Sequence, residues 1–565
     1  MASRAKLFAS LCVIALSACA GTARFPLQEP LRHDNDERAF AVAPEEYYSP
    51  FAWDGGNQMV FRPISRFFAV DPAGPAVNVN ALDEVPDSSW FENRLGRRKM
   101  TPEEVARGYC PEGKELSADL PDGAWLIDHG KDNGANPGFR VNIPGLGKFM
   151  LKTDPETEPD RATGATAVSA RVYHAVGYYA PCDSVVYFRS ALLALKPGLT
   201  VTNNQGVKTP FDRSALDALL ARASHRNGLV RMVASKWLPG KTLGPYKYDG
   251  LRSDDPNDVI PHEDRRELRG ARLVAAWLNH FDSREQNTMD VFMPLDPEKK
   301  GGPGFVRHYI IDMGDSFGSM WSADAISRRL GHAYIFDAAQ VGEDFVTFGA
   351  IRRPWEGAER VGGIFNYFSA RRFDPEAWHG EYQNPAFLRM TEADGAWMAR
   401  LLARFSDELV AAAVEVGQYD AASERYLLRT LIERRDAILR RYLSRLSPLA
   451  DVLSTKRGLC ALDLARQSGV APAELASIRA RAYRGETYAP DARLRFTRTA
   501  SPLVCLELSH GEFGNAPDGA AARYVVVDIT NGHAPGPLRA HLYDLGPERG
   551  YRLVGIERPE TSTPP

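Results

Sequence analysis

Two short polar motifs flank a predicted β-hairpin near the middle of this chain. The first, at 280–287, reads H-x-D-x-x-x-x-N and begins where a predicted helix over 262–281 ends. Strand-like runs at 289–293 and 305–311 follow, and the second motif, D-x-G at 312–314, comes directly after them. Because a hairpin brings its two ends back to the same edge, we expect the two motifs to lie side by side.

The residue types in these motifs suit phosphoryl transfer. Asp282 can accept the proton of a hydroxyl group or orient that group, and Asn287 offers an amide oxygen to Mg²⁺ or Mn²⁺. Asp312 offers a carboxylate that can bridge such a cation to two phosphates. Carboxylate and amide oxygens are the ligands of a hard cation that keeps part of its water shell. We therefore predict Asp282 as a catalytic residue, and Asn287 and Asp312 as metal ligands.

A strand lysine and a glycine-containing loop are the candidates for binding a nucleotide. Lys152 ends a short β-type run and would hold two phosphates as a point charge, which makes it a predicted catalytic and nucleotide-binding residue. Lys148 is the second candidate. The loop at 130–138, with Gly134 and Gly138, is the candidate phosphate cover, although its glycines are not spaced as G-x-G-x-x-G.

The order of these features over about residues 120–450 resembles that of protein kinases: glycine loop, strand lysine, helix, helical lobe, H-x-D-x-x-x-x-N loop and D-x-G turn. The chain resembles most the atypical members of the protein-kinase-like superfamily, of the HipA and spore-coat CotH types. It is also similar to exported bacterial lipoproteins of uncharacterised function that share the W-x-x-H-x-D, I-D-x-G and N-P-A-F landmarks found here at 277–282, 311–314 and 384–387.

The resemblance implies an α+β, two-lobed protein-kinase-like fold, with ATP as the presumed phosphate donor and Mg²⁺ (or Mn²⁺) as cofactor. An N-terminal extension and a small C-terminal β-rich domain would flank the two lobes. The predicted segments are a lipoprotein signal peptide at 1–19, an extension wrapping the body at 20–100, a small β-rich lobe at 101–235, a helical lobe with the catalytic loop at 236–450 and a β-rich accessory domain at 451–565.

The sequence departs from the kinase pattern where an acidic partner for the strand lysine is expected. The helix predicted after Lys152 carries only uncharged residues at 166–168. Glu156 and Glu158, which precede this helix, are the acids available to replace that partner.

Three hypotheses about function are open at this stage. The first is a phosphotransferase that acts on a protein, sugar or lipid hydroxyl. The second is a catalytically degenerate kinase-fold module that binds an envelope component. The third is a glycan hydrolase with Asp282 and Asp312 as paired carboxylates. A purely structural interpretation is a helix C-terminal turn in which Asp282 and Asn287 bond to nearby backbone. The joint presence of a lysine, an aspartate and an asparagine in kinase order favours the first hypothesis.

The N-terminus predicts export. A basic start precedes an apolar run at 7–16, which is too short to span a bilayer and is typical of a signal peptide. Leu-Ser-Ala-Cys at 16–19 resembles the lipobox of bacterial lipoproteins, which implies lipidation of Cys19; the alternative is a plain secretory signal. Ala20 then favours the outer membrane. We expect a protein held by its lipid at the periplasmic face of the outer membrane or at the cell surface.

Charge and cysteine content limit the partners and the redox state. The formal net charge of −3 gives no argument for nucleic acid. The expected partners are a nucleotide, the membrane through the lipid anchor, and an unknown envelope protein, glycan or lipid acceptor. Four cysteines, Cys110, Cys182, Cys460 and Cys505, follow Cys19. In an oxidising compartment they allow three disulfide connectivities, of which proximity favours Cys110–Cys182 and Cys460–Cys505, or else four buried thiols.

Overall fold

The protein is a mixed α+β structure with several sheets and helices. The backbone forms two compact units, which we call the large unit (His33–Asn78 and Val85–Ile438) and the small unit (Met1–Arg32, Val79–Glu84 and Leu439–Pro565). This computed structural model describes residues 24–68, 74–113, 116, 118–131, 137–154, 158–202, 207–299, 301–318, 330–360, 363–472, 478–485, 488–491, 495–497 and 502–565. Within these ranges, no helix has both the length and the apolar character needed to cross a membrane.

The large unit opens with helical segments. Their bounds are α1 (Phe51–Gly56), a π-helical stretch (Asn57–Phe61), α2 (Arg62–Phe68), α3 (Arg94–Arg97) and α4 (Pro102–Arg107). The first three run on without a break, and we call them together the N-terminal helix. Polar residues spaced four apart, such as Asp54 and Gln58, are buried on one face of it, whereas Trp53, Phe61 and Ile64 are more than half exposed. This helix therefore turns a polar face, and not an apolar one, towards the protein.

A seven-stranded sheet follows. The elements of this region are β1 (Trp125–Lys131), β2 (Gly138–Ile143), β3 (Gly147–Lys152), α5 (Arg161–Val176), β4 (Asp183–Phe188), β5 (Leu193–Leu195), β6 (Thr200–Thr202), β7 (Lys208–Pro210), α6 (Arg213–Arg222), β8 (His225–Arg226), β9 (Leu229–Lys236) and β10 (Lys241–Gly244). The strand order is β4-β9-β3-β2-β1-β5, with β8 paired to β9. All pairs are antiparallel except the one between β1 and β5.

Alternation along the strands gives this sheet two different faces. Phe139, Leu151 and Met232 are fully buried in an apolar core that they share with Leu216 and Leu219 of α6. Lys152 follows Leu151 directly, so its side chain leaves the sheet on the opposite face. The sheet therefore presents this lysine on the side that does not form the apolar core.

The helical part of the large unit carries the two polar motifs. Its elements are α7 (Arg266–Leu278), β11 (Thr288–Pro294), β12 (Gly304–Ile310), α8 (Ala338–Thr347), α9 (Pro385–Leu388), α10 (Glu392–Leu402), α11 (Asp407–Glu415) and α12 (Ala421–Tyr442). β11 and β12 form the predicted hairpin, and β10 pairs with its outer edge. Apolar residues at four-residue spacing, Trp397, Leu401, Phe405 and Leu409, predict one helix from 391 to about 416. This prediction is wrong, because the chain breaks between α10 and α11, where Ser406 caps the second helix through the Leu409 N–H.

The small unit contains two antiparallel sheets. Its elements are β13 (Leu449–Thr455), β14 (Gly458–Asp463), α13 (Leu464–Gln467), β15 (Arg479–Arg484), β16 (Ala489–Asp491), β17 (Arg495–Thr497), β18 (Leu503–Glu507), β19 (Tyr524–Thr530), β20 (Leu538–Asp544) and β21 (Tyr551–Glu557). The strand orders of the two sheets are β13-β14-β18-β17 and β16-β15-β19-β20-β21. The favoured disulfides are both formed: Cys460–Cys505 joins β14 to β18, and Cys110–Cys182 lies in the large unit.

Candidate functional site

The predicted nucleotide lysine and the predicted metal-binding aspartate meet in the structure. Lys152 at the end of β3 donates from Nζ to Oδ1 of Asp312, at a distance of 2.7 Å. Asp312 follows β12 and adopts a left-handed conformation (φ 55°, ψ 55°) before the turn Met313–Asp315. In this conformation the carboxylate contacts the end of β3. Two residues that are 160 positions apart therefore form one ion pair.

Electrostatics hold this pair in its charged form. The surrounding protein by itself would raise the pKa of Asp312, even though its side chain is 43% exposed, but the charges of Lys152 and Lys131 outweigh this effect and hold the pKa well below the usual range. Burial works against the charge on Lys152, yet Asp312 raises the pKa of the lysine. Burial, followed by the positive charge of Lys152, lowers the pKa of Lys131 to about 8. Lys131 lies at the end of β1, so two cations act on one carboxylate.

The H-x-D-x-x-x-x-N segment forms a buried loop that begins where α7 ends at the left-handed residue Asn279. The side-chain nitrogen of Asn287 donates to the carbonyl oxygen of Asp282 (2.7 Å) and to its Oδ2 (2.9 Å). The first of these bonds is the local backbone contact that the structural interpretation expects. Both bonds use the nitrogen, so the amide oxygen of Asn287 is the atom left to take a cation.

The hairpin brings Asn287 next to Asp312 as predicted. The carbonyl oxygen of Asn287 accepts a hydrogen bond from the backbone N–H of Ile311, at 2.9 Å, and Thr288 pairs with Ile310. The residue before Asp312 is thus tied directly to Asn287. One oxygen-bearing side chain from each end of the hairpin therefore lies at the same edge.

Asp282 is enclosed rather than open. Its Oδ1 lies 2.8 Å from Nε of Arg284, and the residue is only 5% exposed. Burial raises the pKa of Asp282, and Arg284 offsets that rise only in part. Glu381 adds a side-chain hydrogen bond to the same carboxyl group. The predicted base is therefore held by three neighbours, of which Arg284 and Glu381 were not expected from the sequence.

His280 supports the loop from inside. It is fully buried, and its Nδ1 lies 3.0 Å from the hydroxyl of Tyr173 on α5. Its Nε2 has no hydrogen-bond partner among the described residues. Burial lowers the pKa of His280 to about 4, although Asp312 opposes the change. The ring is therefore neutral at pH 7 and joins the loop to α5.

The N-terminal helix contacts the loop through residues that the sequence analysis missed. Gln58 donates to Oε2 of Glu285 at 3.0 Å, and Arg62 donates to Oε1 of the same carboxylate at 2.6 Å. Arg62 also reaches Asp249 at 2.9 Å. The four-residue spacing of Asp54, Gln58 and Arg62 was the signal in the sequence, because it marks one face of a helix.

The remaining predicted residues fall in different places. Gly138 begins β2 and pairs with Lys152, and a Cβ atom there would lie 2.1 Å from the carbonyl oxygen of Leu151, so glycine allows the two strands to approach. Lys148 is exposed near the other end of β3. Gly134 and Cys19 lie outside the described residues.

Glu158, one of the two residues expected to serve as the acidic partner of Lys152, is engaged elsewhere. This residue accepts from Nε of Arg161 at 2.7 Å and from the side chain of Asn366 at 3.1 Å. Glu156 lies outside the described residues. The carboxylates whose charges act on Lys152 are Asp312, Asp183 and Asp315.

The donor set fits a hard cation. Asn287 and Asp312 supply one amide and one carboxylate oxygen, and Mg²⁺ sites commonly add waters and substrate phosphates to one or two carboxylates. Over the described ranges, no three His, Cys, Asp or Glu side chains are grouped to hold a metal ion.

Comparison with known proteins adds no relative. The chain matches no family model, no curated protein and no solved structure.

Proposed function

We propose that this chain is a kinase-like phosphotransferase with an ATP and Mg²⁺ site between Lys152, Asn287 and Asp312. The observation that carries the proposal is the 2.7 Å contact between Lys152 and Asp312, which come from distant parts of the sequence. The positions of the two residues in the sequence do not by themselves bring a strand lysine to the aspartate of a D-x-G turn. Phosphoryl transfer needs this juxtaposition, because both groups act on the same phosphates.

The order of elements supports the same proposal. The lysine ends the third strand of its sheet in chain order, Gly134 falls between the first two strands in the sequence, and one helix follows the lysine. The H-x-D-x-x-x-x-N loop and the D-x-G turn then flank a hairpin. Protein kinases carry their lysine on a third strand and their metal ligands at an equivalent Asn and Asp. We infer a protein-kinase-like fold for the large unit from this order.

Each residue has a role in the proposed reaction. Lys152 would hold the α- and β-phosphates, with Lys131 as a second cation beside it. The oxygens of Asn287 and Asp312 would bind the metal, which neutralises charge on the phosphates when bound. Asp282 would orient the acceptor hydroxyl, and Arg284 would keep its carboxyl group in place.

The proposed setting is the cell envelope. The lipobox-like sequence supports lipidation of Cys19, with the acceptor an envelope protein, glycan or lipid and the donor either ATP that reaches this compartment or another phosphate compound. A glycan hydrolase is the weaker alternative, because it gives Lys152 and Asn287 no role.

A second candidate is a kinase-fold module that binds a partner without catalysis. The observation in its favour is that both acids of the site are engaged by cations, Asp312 by Lys152 and Asp282 by Arg284. Helix α5 also carries no glutamate. A binding module can keep such a closed arrangement permanently.

A thermal-shift titration separates these two candidates. The full chain carrying Cys19→Ser would be heated with ATP, with and without Mg²⁺ or Mn²⁺. We expect a metal-dependent rise in melting temperature of about 5 °C at a ligand concentration near 100 times Kd. Asp312→Ala should abolish the rise, while Asp217→Asn, at an exposed carboxylate of α6, serves as the control. No rise with any metal and nucleotide would favour the binding module.

A further inference from the structure

A buried carboxylate behind Lys152 has no role in the site as described so far. Asp183 is the first residue of β4 and is 1% exposed. The hydroxyl of Ser235, the residue opposite it on β9, is the hydrogen-bonding side chain that acts on its carboxyl group, and it lies outside the geometry of a normal hydrogen bond. A buried acid that is so weakly hydrogen-bonded is costly, so its presence calls for a charged neighbour or a function.

The register of the sheet places Asp183 on the same face as Lys152. Both β3 and β4 pair with β9, where Lys152 and Val185 lie on either side of Val233. Asp183 precedes Val185 by two residues and therefore shares its face. The lysine side chain is long enough to reach diagonally across one intervening strand. The charges of Lys152 and Arg171 act on this carboxyl group, whose pKa burial raises to about 6.

The contact between Lys152 and Asp312 conflicts with metal binding. The lysine ammonium occupies Oδ1 of the carboxylate that the proposed metal needs. Two cations cannot share that oxygen without strong repulsion. Metal entry therefore displaces the lysine from Asp312, and Asp183 is the protein carboxylate with the next largest effect on it.

We propose that Asp183 is the positioning residue that takes over Lys152 from Asp312 when metal and nucleotide bind. The exchange is a change of ion-pair partner with no bond made or broken. It rests on the proposed function, and it assigns to strand β4 the acidic partner that helix α5 lacks.

Arg171 provides the structural explanation that the test has to exclude. Its guanidinium lies near Asp183, and it donates to the carbonyl oxygen of Ala106 at 2.7 Å and to Ser184 at 3.4 Å. A carboxylate that serves only to balance Arg171 would affect stability and not metal binding. If Asp183 exchanges partners with Lys152, the effect of replacing Asp183 on metal binding depends on whether Lys152 is present. If Asp183 only balances Arg171, it does not.

The test is a double-mutant cycle that measures the Kd for Mn²⁺ alone by electron paramagnetic resonance. The four proteins are the full chain with Cys19→Ser, and the same chain with Asp183→Asn, with Lys152→Met, or with both. We expect Asp183→Asn to weaken Mn²⁺ binding about tenfold, because the lysine then stays on Asp312. In the Lys152→Met background the same change should alter Kd by at most about twofold.

A matched control is Asp154→Asn. Asp154 is another buried carboxylate of the large unit, which accepts from the N–H and the hydroxyl of Thr163, both at 2.8 Å. Its replacement should lower the melting temperature and leave the Kd for Mn²⁺ unchanged.

The outcomes are distinct. Equal weakening by Asp183→Asn with and without Lys152, or no weakening at all, overturns the partner exchange while leaving the proposed function standing. If Asp312→Ala removes no Mn²⁺ binding, either with Mn²⁺ alone or with ATP present, the proposed function and the exchange are overturned together.

Discussion

The two halves of the candidate site are built in opposite ways. The lysine half, Lys152 with Asp312, is a single contact between two distant segments, and the Asp312 side chain is 43% exposed. The loop half, Asp282 with Asn287, is local in sequence, is buried, and is fixed by Arg284. A contact between separate elements can be exchanged when a ligand enters, whereas a buried network holds one geometry. The comparison is the reason why the proposed partner exchange is assigned to the lysine half.

The largest expected effect comes from breaking the loop half. Arg284→Leu removes the cation beside the buried Asp282 and leaves its carboxylate without a charged partner. We expect a loss of about 3–5 kcal/mol in the free energy of unfolding, measured by urea denaturation. Arg213→Ala breaks an exposed pair with Asp217 and should cost less than about 0.5 kcal/mol. A loss for Arg284→Leu as small as that of the control would contradict the buried network.

The next effect concerns the N-terminal helix. Arg62→Ala leaves the buried carboxylate of Glu285 with fewer hydrogen bonds, so we expect a loss of about 2 kcal/mol in the free energy of unfolding. The exposed apolar side chain Ile64 on the same helix provides the control, and Ile64→Ala should change stability by less than about 0.5 kcal/mol.

Arg62→Ala combined with Glu285→Gln tests whether these two groups act on each other. The double variant should lose less free energy of unfolding than the sum of the losses of the two single variants, because the second substitution removes a contact that the first has already broken. Additive losses would mean that the N-terminal helix is held by other contacts.

The difference between the halves also explains what the sequence could reveal. The hairpin, the D-x-G turn and the lysine strand follow from short periodic patterns and turn residues, and so the meeting of Asn287 with Asp312 was predictable. The partners Arg284 and Glu381 were not predictable, because tertiary packing around Asp282 decides them. The N-terminal helix was not predicted, because its buried face is polar, whereas an amphipathic helix is recognised by an apolar buried face.

Asp183 shows the same limit at the level of the sheet. Its position beside Lys152 depends on β9 lying between β3 and β4, and no local pattern specifies that strand order. The break between α10 and α11 was missed for a simpler reason. Apolar residues continue through Ala403 and Phe405 at helical spacing, and the Ser406 cap outweighs them.

Breaking the lysine half should cost far less stability than breaking the loop half. Lys152→Met removes the ion pair with a partly exposed carboxylate, so we expect a change of less than about 1 kcal/mol in the free energy of unfolding. The same variant should lose nucleotide binding at least tenfold, measured by calorimetry with Mg²⁺-ATP. Lys148→Met is the matched control on the same strand and should bind normally. A large loss of stability for Lys152→Met would show that the pair is structural.

The smallest expected effect is a pH dependence from Lys131. Burial and the neighbouring charge of Lys152 lower the pKa of Lys131 to about 8, so its charge is present below that pH and is lost above it. A positive charge attracts phosphates and repels metal ions. Between pH 7 and pH 9 the affinity for Mg²⁺-ATP should therefore fall by about 1 kcal/mol, or roughly fivefold, at low salt.

The affinity for Mn²⁺ alone should change in the opposite direction over the same range, because loss of the Lys131 charge removes a repulsion. Lys131→Gln keeps a polar side chain that cannot titrate. The affinities of this variant for Mg²⁺-ATP and for Mn²⁺ should therefore change less with pH than those of the unchanged chain. Profiles of equal slope in both proteins would assign the dependence to other groups. Opposite slopes that vanish with Lys131 would place the phosphates beside the lysine half, as a partner exchange at Asp312 requires.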